Sequence, residues 1–148
     1  MSKLYLLKKT KNLPPGHIDR KRAEDAVVAE YRKCSEIGRK WWKRFDLKIY
    51  SPAHALRFCN EICDMLGESR LKEIVVNSPE VDECAGAHYC NRSIHFKWNF
   101  IHFGTLMHEL AHHFSKWSGH GPDYCITLDF LFKVAYTHVT GKQPKKDW

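Results

Sequence analysis

The feature that most constrains this chain is His108-Glu-Leu-Ala-His112, because it fixes both a helix and the chemistry of one helix face. Around it Phe103, Leu106, Leu110, Phe114 and Trp117 recur at helical spacing, which predicts an amphipathic helix from about Phe103 to Trp117. His108 and His112 are four apart, so both imidazoles leave one face about one turn from each other. On a helical wheel they fall nearly opposite the apolar stripe. The helix is therefore expected to grip a core with one side and open the other to a cleft.

Two imidazoles at this spacing, with a carboxylate directly after the first, are the set with which a helix presents zinc ligands and a general base. A catalytic zinc ordinarily takes three protein ligands and keeps a fourth position for water. His120 is the strongest candidate for the third, since Gly119 and Gly121 on either side let the chain reverse over the helix. Asp123 is a weaker rival. His113 follows His112 directly, points about 100° away on the wheel and makes a poor third ligand. The spacing from His112 to His120 departs from HExxHxxGxxH, which sets the metzincins aside. Glu109 is placed to take a proton from a water activated by the ion and return it to a leaving amine. Tyr124, His113, His88 and Tyr89 are candidate donors to the oxyanion; Tyr124 and His113 are also candidates to support the ligands from behind.

Upstream, residues 4–7 (Leu-Tyr-Leu-Leu) read as a short first strand and Pro14-Pro15-Gly16 as a loop. A helix is expected from Ile18 or Asp19, with Asp19 as its cap, to about Ile37 and Gly38. Residues 39–44, Arg-Lys-Trp-Trp-Lys-Arg, then form a basic–aromatic cluster, suited either to stacking on a nucleic acid or to packing on a neighbouring element. Ser51 and Pro52 open a second helix with Ala55, Leu56, Cys59, Ile62, Cys63 and Leu66 as its core face and Gly67 as its stop. Strands are expected at 71–77, 85–90 and 93–97. In the last, Ile94 and Phe96 should face one way and Ser93, His95 and Lys97 the other. That strand is also the expected sheet edge for aligning an extended peptide. His88 and His95 read as ordinary sheet residues. The final helix should run from Pro122 to about His138 and end at Gly141, leaving residues 142–148 as a loose tail. The expectation is one α+β domain over residues 1–148. A small three- to four-stranded sheet packs on helices, and the HExxH helix is followed by a C-terminal helix.

Composition narrows the partners. Residues 1–48 carry 14 Lys/Arg against 6 Asp/Glu, whereas residues 49–148 carry 10 against 11, so the formal +7 resides in the first third. Such a segment either attracts nucleic acid or an acidic partner, or is a solvated basic helix. No apolar run reaches the length of a membrane span, and the N-terminal apolar stretch is too short for a secretory signal, which favours the cytoplasm. The six cysteines show no CxxC pair and no dense framework. Cys59 and Cys63 have the spacing to share a metal on a helix, but buried free thiols are the simpler reading.

With HELAHHF at 108–114 followed by Gly-His-Gly-Pro-Asp-Tyr at 119–124, the chain resembles the SprT-like zinc metallopeptidases. The likeness is to the small bacterial and phage putative metallohydrolases with an HExxH…GHGPxF/W/Y signature, and it extends more loosely over residues 50–140. That resemblance implies a compact zincin-like α+β fold, His108, His112 and His120 as ligands of one zinc, and Glu109 as catalytic acid/base. It implies a protein or peptide substrate. Larger relatives carry a four-cysteine zinc ribbon that nothing here matches. Two rival expectations remain: a metallohydrolase of non-peptide amides or esters, and a non-enzymatic DNA-associated protein with structural zinc.

Overall fold

The structure, a computed structural model, describes residues 13, 14, 16–81, 86–89, 91–116 and 119–148. The strand expected at 4–7 lies outside the described residues, as do Cys84, Cys90 and Trp117.

Helix α1 (Ile18–Trp42) is capped by His17, whose Nδ1 accepts the Asp19 backbone N–H at 3.2 Å. Asp19 thus stands in the first turn, favourably placed for the helix dipole, and is not the cap. The helix also runs beyond Gly38 into the basic–aromatic cluster. Trp41 explains this extension. It is wholly buried, stacked on Phe132 at 5.9 Å, and its Nε1 donates to Asp129 Oδ1 at 2.7 Å. Burying an indole outweighs the roughly 1 kcal/mol that a helical glycine costs.

Helix α2 (Pro52–Leu66) follows its local signals closely. Ser51 Oγ accepts the His54 N–H at 3.0 Å, Pro52 occupies the first turn, and Gly67 closes the helix with φ of 72°. Its inward face is Ala55, Phe58, Cys59, Ile62 and Cys63, whereas Leu66, expected in the core, is exposed.

The sheet is mixed and has three strands among the described residues, in the order β1 (Glu73–Val75), β3 (Ser93–Phe96), β2 (Gly86–Tyr89). β1 runs parallel to β3 and β2 antiparallel to it, with Ile74 opposite Ile94 and His88 opposite Ile94 on the other side. The strand expected at the edge is therefore the central one. Its expected alternation is absent too: Ser93, Ile94, His95 and Phe96 are all buried, because a central strand here is covered on both faces. His95 satisfies its ring by bonding Ser78 Oγ at 2.7 Å.

Helix α3 (Phe103–Ser115) packs on β2 and on helix α4 (Pro122–Thr140), and α1 packs on α4. Leu106, Met107, Leu110 and Ala111 of α3 meet Leu128, Leu131, Phe132 and Ala135 of α4 in a shared core. α3 stops because Lys116 turns into the left-handed region, φ 61°. The tail is not loose, since Trp148 packs edge-on against Trp41 at 5.9 Å and Tyr136 at 5.2 Å. Among the described residues no helix is long and apolar enough to cross a membrane.

Candidate metal centre

α3 carries His108 and His112 on one face, and the segment joining α3 to α4 brings His120 back across it. The Nε2 atoms of His108 and His120 lie 3.0 Å apart, and those of His112 and His120 lie 3.1 Å apart. All three donor atoms lie within 4.8 Å of one another. Three ring nitrogens facing a common point cannot satisfy one another, since each contact needs one hydrogen and one lone pair. A cation at that point resolves the conflict. Zinc bonded at about 2.0–2.1 Å in tetrahedral geometry would hold its nitrogens about 3.3 Å apart, close to the separations present. The donor set therefore fits.

Electrostatics point the same way. Burial, followed by the neighbouring imidazoles, lowers the His108 pKa to about 3, and burial with His112 alongside lowers that of His120 to about 4. Both rings remain neutral at pH 7 and keep the lone pairs a metal needs.

The reversal expected around His120 passes through residues 117 and 118, which lie outside the described residues; on either side of them Lys116 is left-handed, and Gly121, with φ of −71°, is extended and caps α4 ahead of Pro122. Tyr124, in the first turn of α4, then donates its hydroxyl to the His108 carbonyl at 2.7 Å. Its ring stands 4.6 Å from His112 and 4.9 Å from His120, so one side chain backs all three imidazoles. Cys125 donates weakly to the His120 carbonyl at 3.6 Å, and Tyr31 of α1 covers the His120 ring at 4.6 Å.

Glu109 is 5 % exposed, and burial pushes its pKa up to about 8 despite a hydrogen bond from the His88 backbone N–H. His113 turns away from the three imidazoles, its Nε2 2.6 Å from the Ser69 carbonyl and its Nδ1 3.2 Å from His88 Nε2. Asp123 is exposed and outside the converging group. Tyr89 reaches the Glu80 carbonyl, at 3.4 Å. Cys59 and Cys63 are buried free thiols whose pKa values burial raises, that of Cys63 to about 11. In the basic–aromatic cluster Trp41 belongs to the core, whereas Trp42 is exposed.

His88, a candidate oxyanion donor from the sequence, meets the site in another way, through its backbone at Glu109; the small-residue run Gly86-Ala87 before it is a local sign of that close approach. Tyr31 is the neighbour that sequence reasoning missed, since it lies far away in the chain and has no local sign at all.

No family model matches the chain, no curated protein matches it, and no solved structure matches it.

Proposed function

We propose that this chain is a zinc-dependent metallopeptidase of zincin-like fold. The observation that carries this reading is the convergence of the His108, His112 and His120 Nε2 atoms beside a buried Glu109. Those three imidazoles would hold the ion. When bound, zinc supplies Lewis acidity toward water and toward a scissile carbonyl.

The remaining chemistry belongs to the chain. With its pKa raised to about 8, the Glu109 carboxyl exchanges a proton near neutrality. It suits the residue that takes a proton from the attacking water and hands it to the leaving amine. Tyr124 holds the His108 backbone and backs the three rings, which limits their rotation. β2, the edge strand among the described residues and beside Glu109, is suited to aligning an extended peptide. The sequence resemblance to SprT-like peptidases supports the same activity.

The test is hydrolysis by the full chain loaded with zinc, on a panel of unfolded proteins, peptides and small amides and esters. Peptide cleavage is expected, falling by about 10²–10⁴-fold in Glu109→Gln while bound zinc is retained. Cleavage confined to small esters or amides would favour the non-peptide hydrolase. Peptide cleavage untouched by Glu109→Gln would contradict the role given to that residue.

A further inference from the structure

His113 is the side chain that the proposed chemistry does not use, although it neighbours a ligand candidate and is 1 % exposed. It bridges two elements distant in the chain. On one side its Nε2 lies 2.6 Å from the Ser69 carbonyl, in the segment after α2. On the other its Nδ1 lies 3.2 Å from Nε2 of His88 on β2. A carbonyl only accepts, so His113 Nε2 carries a hydrogen; a neutral ring then has a bare Nδ1, and His88 Nε2 donates to it. The same His88 donates its backbone N–H to the Glu109 carboxylate.

Among the described residues β2 spans Gly86–Tyr89 and pairs with β3 alone. Short edge strands open readily unless something holds them. Gly86 already brings the strand so close that an added Cβ would meet the Thr105 side chain of α3 at 3.3 Å. The His113–His88 contact is a second hold on the same strand, two residues further on.

We propose that His113 is a positioning residue: it braces β2 through His88 and thereby keeps the His88 N–H on the Glu109 carboxylate. Its effect on turnover rests on the metallopeptidase reading, whereas the brace itself is a property of the folded chain.

The experiment measures amide hydrogen exchange by NMR in the full-length chain without metal, so its result does not depend on catalysis. Gln in place of His113 keeps a donor for Ser69 but loses the acceptor for His88, whereas Asn keeps the acceptor near the Nδ1 position. His88→Leu removes the donor from the other side, and His88→Gln restores one near Nε2. Exchange of the His88 amide is expected to accelerate about tenfold in His113→Gln and His88→Leu, with the α2 amides unchanged. In His113→Asn and His88→Gln it should stay near the wild-type rate. Equal acceleration in His113→Gln and His113→Asn, or none in His88→Leu, would overturn the brace. Should the His113 variants fail to fold, the His88 pair decides alone. In the zinc-loaded chain, His88→Leu should lower kcat and leave KM unchanged. If no substrate is cleaved at all, the metallopeptidase reading falls and the exchange rates still decide the brace.

Discussion

Asp129 serves three partners at once: the buried Trp41 indole at 2.7 Å, Lys40 at 2.6 Å and Lys133 at 3.5 Å. Burial alone would raise its pKa, but the Lys40 and Trp41 bonds outweigh burial and hold it below the ordinary carboxylate value. A carboxylate depressed in the folded state stabilises at neutral pH, and that contribution is lost as pH falls through the depressed value. Asp129→Ala leaves the indole N–H stranded and should cost about 1–3 kcal/mol, read as a lower Tm at pH 7; an unchanged Tm would contradict this. The imidazoles titrate in a different window. His108 and His120 stay neutral in the folded chain down to about 3 and 4, while in the unfolded chain they protonate near 6.5. The unfolded state therefore gains protons first, and the metal-free chain should lose stability as pH falls below about 6.5, by about 1.4 kcal/mol per unit for each ring that stays neutral. Thermal melts of the metal-free chain at pH 7 and pH 5 check the sign, and a higher Tm at pH 5 would contradict it.

Between elements, β2 lies close against both β3 and α3 at Gly86. A Cβ at Gly86 would stand 3.2 Å from the His95 carbonyl oxygen and 3.3 Å from both Phe96 and Thr105 side-chain atoms. The backbone oxygen cannot move without β3, so Gly86→Ala should displace the strand and cost about 1–3 kcal/mol. Its melting curve should show this, whereas Gly38→Ala, with nothing within 4 Å of the added carbon, should be neutral or stabilising. Local signals made some elements legible in advance: the Ser51–Pro52 start and Gly67 stop of α2, the Pro122 start and Gly141 stop of α4, and the strands β2 and β3. What could not be read was whatever distant partners decide. α1 passes Gly38 because Trp41 finds Phe132 and Trp148, both more than 90 residues away in the chain. β3 is buried on both faces because it is the central strand of a sheet on which helices from elsewhere in the chain pack, α2 at β1 and α3 at β2, and no alternation within four residues announces that.

Across the whole molecule, the candidate centre draws on several elements. α3 gives two imidazoles and Glu109, the segment before α4 gives His120, α4 backs them with Tyr124, and α1 covers His120 with Tyr31. The three imidazoles and Glu109 were legible from spacing along one helix and a glycine-flanked histidine. Tyr124 was legible as a support for the ligands, but the contacts of Tyr31 and of the His88 backbone were not, because packing and not any repeat in the chain joins them to the site. The measurement that tests the central claim most directly is X-ray absorption at the zinc edge of the full chain loaded with one zinc. The spectrum expected is that of three imidazole nitrogens at about 2.0–2.1 Å with one further light atom, reduced to two imidazoles in His120→Ala. Scattering from sulfur at about 2.3 Å, or an unchanged imidazole count in His120→Ala, would contradict it.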